Sequence, residues 1–499
     1  MELIKPKRKN VSRAVLTALL VMLSAFAGTL LFSPTTSPMY GDWGYDSAMF
    51  QTIGKYWAQG HLPYVELFDH KGPIIFFINA VGYALKGRTG VFAVQVLFVA
   101  ASELGAYFML RNKTGEKLSV VLAVLFPLFL AANWNEGNTT EEYILPFLML
   151  SYSAMLDWRD GLGEGCSHSP KYAALYGFTF AFALLTRATN ALGVCIGTAL
   201  ITVTLITKAQ WKNLLFNALA FIAGAAILTV PFSVYFACHG ALYDMWYGTL
   251  IFNMDYMKTA SDSVSGGGIV QFLVTARMYL FGWILAAAEI WRFISAKEKK
   301  LSGLFWLAVA LPSTLFLYTL NNYLHYGTIL LPFLYVAFAE LSGKSVLPRL
   351  AGLTRAFAVC VAIIALFSSG LRLYRNATEI QPPYAYERYE DEYYPLVEML
   401  TDADRESFVA WDCPRRFYLD TLLRPCFRYF TLQQWMSVNS DDFAKTIHDS
   451  FDDSDIQCVI AFRLFEDEGK EPVIKDILER DYHVDAQTEN GIYTLYRHN

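Results

Sequence analysis

Residues 5–32 read KPKRKNVSRAVLTALLVMLSAFAGTLLF, and this stretch sets the class of the protein. Five cations, Lys5, Lys7, Arg8, Lys9 and Arg13, precede a mostly apolar, uncharged run from Ala14 to Phe32. A helix of about twenty apolar residues crosses the hydrocarbon core of a bilayer, and flanking lysines and arginines stay on the cytoplasmic side. No A-x-A cleavage site follows, so the run reads as an uncleaved anchor with a cytoplasmic N-terminus.

The pattern repeats along the chain. Of 499 residues 55% are hydrophobic and 17% charged, and aromatic residues, 16%, gather near the ends of apolar blocks, as rings at the headgroup level do. Further spans are expected near 91–110, 118–133, 143–157, 172–189, 191–207, 213–236, 270–290, 302–320, 323–341 and 354–371, eleven with the first. The loops that this count makes cytoplasmic are all basic. They carry Arg111, Lys113 and Lys117; Arg159 and Lys171; Lys208 and Lys212; Arg292, Lys297, Lys299 and Lys300; and Lys344, Arg349 and Arg355. The expected fold is therefore an α-helical polytopic membrane protein, with residues 1–371 forming the transmembrane module and 34–90 its first external loop.

An odd count leaves residues 372–499 outside. That tail holds 14 Lys and Arg against 26 Asp and Glu. Short apolar runs, FVAWD at 408–412, CVIAF at 458–462 and IYTLY at 492–496, alternate with helical stretches at Asp441 to Phe451 and Pro472 to Arg480. Such a rhythm predicts a small soluble α/β domain, a lid or docking platform over the outer face. Cys413 and Cys426 are the candidate disulfide pair in that compartment, and no Cys/His spacing suggests zinc. The chain has no Walker A motif, no dinucleotide fingerprint and no basic nucleic-acid patch, which argues against an ATP-driven pump, a soluble nucleotide-sugar enzyme and a nucleic-acid partner.

The predicted external loops concentrate the ionisable groups. Gly44 to Pro73, GYDSAMFQTIGKYWAQGHLPYVELFDHKGP, follows Asp42 and supplies Asp46, Glu66, Asp69, His70 and Lys71. The second loop, NWNEGNTTEEY at 133–143, supplies Glu136, Glu141 and Glu142. Arg187 stands at the outer end of the fifth span, and NNYLHY at 321–326 adds His325 and Tyr326. Charges beside a membrane are costly unless they serve a purpose. Sugar transfer from an isoprenoid phosphate needs such a set: a carboxylate to take the acceptor's hydroxyl proton, and cations for the phosphate that leaves. Asp46 suits the first task, and Lys71, His70 and Arg187 the second, in an oxocarbenium-like displacement.

Here the sequence resembles a family. Asp46-Ser-Ala-Met-Phe, Gly60-His-Leu-Pro-Tyr64 and Phe68-Asp-His-Lys-Gly-Pro73 are similar to the first external loop of GT-C membrane glycosyltransferases of the aminoarabinose-transferase and protein-mannosyltransferase kind. In those, a D-E-x-x-Y signature opens the loop and K-P-P closes it. Thr139-Thr-Glu141 resembles the family's T-T-D, Leu185-Thr-Arg187 its L-T-K, and Tyr323 to Pro332 its Y-x-L-P segment. The resemblance implies a GT-C fold, a catalytic role for Asp46 and a place for Lys71 by the donor phosphate, with inversion at the sugar. Two positions depart from it: Ser47 stands in place of Glu, and Gly72 in place of the first Pro. The missing carboxylate brings Glu141, Asp42 and Glu142 forward as the second acid.

Each assignment has a plainer counterpart. Asp46 also fits a helix N-cap, Asp42 a solvated turn, Lys71 a snorkelling anchor, Glu141 and Glu142 first-turn helix acids, Arg187 an interfacial anchor, and His325 and Tyr326 packing residues. Glu103, inside the second span, fits a hydrogen bond between helices. The Gly266 to Gly268 run reads as a flexible external loop, and Asn138 and Asn376 lie in weak sequons. The expected function is transfer of a sugar from a polyprenyl-phosphate donor to an envelope glycan, lipid or protein acceptor on the outer face. A divalent metal is compatible with the carboxylates, and a monophosphate-linked donor leaves less need for one than a diphosphate. The alternatives are a transporter or flippase of lipid-linked sugars, whose internal repeats are not evident here, and an inactive scaffold of the same fold.

Overall fold

A computed structural model of the protein describes residues 8–163, 167–254, 278–295, 301–319, 323–342, 351–379, 393–438, 441–462 and 472–499. The Gly266 to Gly268 run, the first part of the eighth expected span, and Asn321 and Asn322 lie outside them. The chain divides into two compact units: Met1–Met39, Phe92–Ser233 and Gly266–Ile380 form the first, and Tyr40–Val91, Val234–Ser265 and Gln381–Asn499 the second.

The protein is a multi-pass, mostly helical membrane protein with one small sheet. Among the described residues five helices are long and apolar enough to cross a bilayer: Arg13–Phe32, Pro73–Thr114, Ala188–Thr207, Trp211–Cys238 and Leu324–Ser342. Of the other expected spans, 354–371 falls within the long helix Ala351–Glu379, and the rest coincide with shorter or interrupted helices. Glu116–Val124 gives way to Phe126–Ala131, and Thr140–Tyr143 to Leu145–Asp160. In both cases a proline at the start of the second piece, Pro127 or Pro146, lacks the N–H that would continue the ladder.

In the first unit the helices approach closely where side chains are absent. A Cβ on Gly177 would lie 1.9 Å from the Phe221 carbonyl oxygen, and one on Gly224 would lie 1.9 Å from that of Ala174. Small residues of this kind let transmembrane helices pack backbone to backbone. Polar groups tie other helices together. The Ser24 hydroxyl donates to the Glu103 carboxylate, the interhelical bond expected for that acid. Arg159 pairs with Glu340, and Arg292 reaches both Glu340, at 2.8 Å, and Glu289, at 3.1 Å. This buried cluster joins helices Leu145–Asp160, Leu280–Ser295 and Leu331–Ser342. Both of its arginines were expected in basic cytoplasmic loops, and neither of its carboxylates was singled out in the sequence.

The second unit contains the sheet. Its strands are β1 (Phe408–Trp411), β2 (Cys458–Phe462), β3 (Tyr482–Gln487) and β4 (Tyr493–His498), in the order β1-β2-β4-β3. β1 and β2 are parallel, and β4 is antiparallel to both β2 and β3. Three of the strands fall on the expected apolar runs. β3 was missed because it is an edge strand, YHVDAQ, exposed along most of its length and interrupted by an irregularity between Val484 and Ala486. Charges and bulges are what protect such an edge from pairing further.

The core of this unit draws on distant parts of the chain. Val409, Trp411, Val459, Ala461, Phe443 and Ile447 pack with Phe68 and Phe252. The Phe68 N–H donates to the Arg428 carbonyl at 2.8 Å, and the Tyr56 hydroxyl donates to the Leu423 carbonyl at 2.8 Å. The stretch expected as an open first loop is therefore built: it contains helix Asp46–Ala58, and a helix starts again at Pro73.

Candidate active site

The acidic and basic groups singled out in the sequence fall into two sets, one in each unit. In the second unit, Asp46 opens helix Asp46–Ala58, with Tyr45 rather than Asp46 at the cap position. Its Oδ1 accepts from Arg415 Nη1 at 2.5 Å, and the two side chains are 26% and 23% exposed. The base candidate is thus held by a cation, yet is open to a substrate. Arg415 was not singled out in the sequence, because it stands 369 positions away in the acidic tail.

The DHKGP segment is a compact turn. The Lys71 N–H donates to Asp69 Oδ1 at 2.8 Å, the side-chain-to-backbone bond that aspartates favour in turns. Pro73 then occupies the first position of its helix, where its missing N–H costs nothing. The Tyr64 hydroxyl donates to the Lys71 carbonyl at 2.7 Å, and Asn253 Nδ2 donates to the His70 carbonyl at 2.6 Å. These bonds fix both residues from either side.

Lys71 Nζ lies 2.6 Å from His70 Nε2. An ammonium has only protons to give, so His70 accepts through Nε2 and carries its own proton on Nδ1, which lies 4.0 Å from Asp69 Oδ1. The His70 ring sits against Phe252 and Trp435, with centroids 5.6 and 5.4 Å away. Asp69 is buried. Burial pushes its carboxyl above the ordinary range, with the Asp46 charge adding and Lys71 and Arg415 opposing. Asp46, Asp69, His70, Lys71 and Arg415 therefore form one interacting group. Asp42 stands apart in role: its carboxylate accepts from the Gly44 N–H at 2.9 Å, and its carbonyl accepts from Arg88 at 2.7 Å.

The first unit holds Glu141, Glu142, Arg187 and His325. The segment expected as the second external loop is packed inside: Trp134, Asn138, Glu136, Thr139, Glu141 and Glu142 are all buried. Gly137, at φ +81°, makes that possible, since a Cβ there would meet Ser33 Oγ at 2.0 Å. Neither sequon asparagine is a surface residue. Asn138 Oδ1 accepts from the Tyr143 hydroxyl at 2.8 Å, and Asn376 Nδ2 donates to the Leu31 carbonyl at 3.1 Å.

Glu141 and Glu142 are neighbours with opposite environments. Glu141 Oε1 accepts from Arg187 Nη1 at 2.5 Å, and the Arg187 guanidinium lies 3.5 Å from the centre of the Tyr326 ring. Burial works against its charge, but Arg187 and His325 outweigh burial and hold the carboxyl below the usual range. Glu142 accepts instead from neutral donors, Gln95 Nε2 at 2.8 Å and the Trp134 indole N–H. Burial pushes Glu142 up to about 8, so it is largely protonated at neutral pH. His325 is buried, edge-on to Tyr326 at 4.8 Å and stacked on Tyr323 at 5.8 Å.

Among the described residues no three His, Cys, Asp or Glu side chains gather as a metal would require. Cys413 and Cys426 are free thiols: Cys413 Sγ donates to the Ile460 carbonyl at 3.3 Å and Cys426 Sγ to that of Arg405 at 3.7 Å.

The family model of the competence-induced protein Ccs4 N-terminal domain matches residues 6–344. Among solved structures, ArnT from Cupriavidus metallidurans bound to undecaprenyl phosphate is similar over 97% of both chains, with a TM-score of 0.55 at 14% identity. The same protein in its apo state is similar over 98% of both chains, with a TM-score of 0.54 at 13% identity. At such identity the likeness is one of fold, and the fold is that of the GT-C membrane glycosyltransferases. No curated protein matches the chain in sequence.

Proposed function

The chain belongs to the competence-induced Ccs4 N-terminal domain family and has the GT-C fold, and on that footing we propose that it transfers a sugar from a polyprenyl-phosphate donor to an acceptor at the outer face of the membrane. The observation that carries the reading is the group around Asp69. There Asp46, partly exposed and paired with Arg415, lies in the same unit as Lys71, whose N–H is held by buried Asp69 and whose Nζ lies 2.6 Å from His70. The donor class rests on fold: ArnT, which shares it, is bound to undecaprenyl phosphate.

The chemistry follows from these groups. The acceptor oxygen attacks the anomeric carbon from the face opposite the phosphate, the bond to the phosphate oxygen breaks, and the centre inverts. Asp46 takes the proton that the acceptor hydroxyl loses. The polyprenyl phosphate leaves with one more negative charge, which Lys71 and His70 stabilise as fixed cationic and polar donors. Arg187 and His325 form a separate group within the first unit, around the Glu141 carboxylate. Ionised Glu141 keeps the Arg187 guanidinium in place beside Tyr326. Glu142, largely protonated at neutral pH, is unsuited to be a base there, and Asp42 is engaged in its turn. The basic loops support a cytoplasmic N-terminus and an extracytoplasmic C-terminal domain.

The test is transfer from a panel of labelled polyprenyl-phosphate sugars by the protein in liposomes, wild type beside Asp46→Asn. Transfer by the wild type that disappears in the folded variant supports the enzyme and its base. Transfer that survives moves the base to Glu141 or Asp42. A folded wild type that uses no donor returns the chain to lipid-sugar movement or to a scaffold.

A further inference from the structure

The C-terminal segment, expected as a lid or platform, supplies a side chain to the base itself. Residues 412–417 are held on every side. The Asp412 N–H donates to Gln433 Oε1 at 3.1 Å, and Asp412 Oδ1 accepts from the Gln434 N–H at 3.0 Å. Asp412 adopts φ 49°, a left-handed backbone that a non-glycine residue keeps only when its surroundings impose it. Cys413 is anchored to the β2 carbonyl of Ile460, and the Phe417 N–H closes a turn onto the Pro414 carbonyl at 2.8 Å. Arg415 projects from this turn to Asp46.

Next to it, Arg416 Nε lies 3.2 Å from Asp420 Oδ2. Asp420 Oδ1 accepts from the indole N–H of Trp43 at 2.7 Å, and Tyr393 donates to its other oxygen at 2.9 Å. Trp43, three positions before Asp46, is in turn covered by the Arg88 guanidinium, 4.6 Å from the ring centre. The start of helix Asp46–Ala58 is therefore gripped from the turn after β1 by two consecutive arginines, one on the carboxylate and one through Asp420 and Trp43.

We infer that Arg415 is the positioning residue for Asp46, so that the active site is complete only when the C-terminal segment is folded onto the first loop. This rests on Asp46 being the base. A charge-assisted pair at 2.5 Å fixes the carboxylate rotamer and the oxygen offered to an acceptor hydroxyl. Misplacement of a reacting group by about 1 Å costs on the order of a hundredfold in rate.

The experiment uses the full chain in liposomes with a donor that the wild type accepts, comparing Arg415→Ala, Arg415→Lys and, as a fold control, the remote Arg480→Ala. Arg415→Ala should lower kcat about a hundredfold, with the donor KM within about threefold, and Arg415→Lys should recover most of the rate. In parallel, carbodiimide labelling of Asp46 followed by mass spectrometry reads the pair without any turnover, and labelling should accelerate in Arg415→Ala. Unchanged kcat in a labelled, folded Arg415→Ala overturns the inference. So does a kcat that holds while the donor KM rises, which would make Arg415 a phosphate contact, and so does labelling that does not change. If the wild type transfers sugar but Asp46→Asn does too, the assignment of the base fails while the labelling result still reports on the pair.

Discussion

Two carboxylate–arginine pairs, Asp46–Arg415 and Glu141–Arg187, close at the same 2.5 Å and differ in their surroundings. The first is open, with about a quarter of each side chain exposed. In the second, Glu141 is 2% exposed and Arg187 17%. Water screens the open pair, so it contributes little to stability, although its geometry still orients the carboxylate. The closed pair is largely shielded from solvent, and each charge depends on the other. The same two residue types thus make a partly exposed pair in one unit and a buried one in the other.

The largest effect expected is on rate. Asp46→Asn should lower sugar transfer about 10²–10⁴-fold while unfolding in detergent shifts by no more than about 1 kcal/mol. A large loss of stability would erase the contrast between the pairs. Arg187→Ala should do the reverse, leaving Glu141 buried without its cation and costing about 3–5 kcal/mol, read as a drop in melting temperature. Combining it with Glu141→Gln should restore most of that loss, because no orphaned charge remains.

Smaller still is the effect of Lys71→Ala. Losing a charge-assisted donor, worth about 1.5–3 kcal/mol, should raise the donor KM roughly tenfold or more. His325→Ala should change it less, and equal donor kinetics in the two variants would count against the phosphate role of Lys71. The smallest effect concerns Glu142, whose value in the fold, about 8, lies above the ordinary 4.5. Its contribution to stability is full below the unfolded value and is lost as pH rises through the folded one. The melting temperature of Glu142→Gln should therefore fall less than that of the wild type between about pH 5 and pH 9. Parallel profiles would show that Glu142 ionises without penalty, and would make it as much a base candidate as Asp46.

Much of the fold was legible because it depends on contiguous chain. The apolar runs marked helices, and the alternation in the tail marked β1, β2 and β4 together with helix Asp441–Asp452. Edge strand β3 carried no such mark, since its side chains face water. The Asp69 turn and the helix that starts at Pro73 lie within residues 34–90, which the sequence marked only as the first external loop. Less legible was the second loop. NWNEGNTTEEY looks solvated, and only packing shows Trp134, Gln95 and Arg187 supplying the partners that let its acids be buried.

Taken by itself, the sequence determined that the chain crosses a membrane several times, that its ionisable groups gather in two segments, and that an acidic α/β region follows. Helix length, charge bias and strand alternation are summed over neighbouring residues, and no distant contact is needed to read them. The partners of the charges were decided by tertiary structure alone. Glu141 and Glu142 are adjacent in sequence, yet one is held ionised by an arginine and the other is pushed toward neutrality by burial. Phe68 became part of the C-terminal core, and Arg415 reached Asp46 across 369 positions. A carboxylate's state depends on what lies within a few ångströms, and only the folded chain brings those groups there.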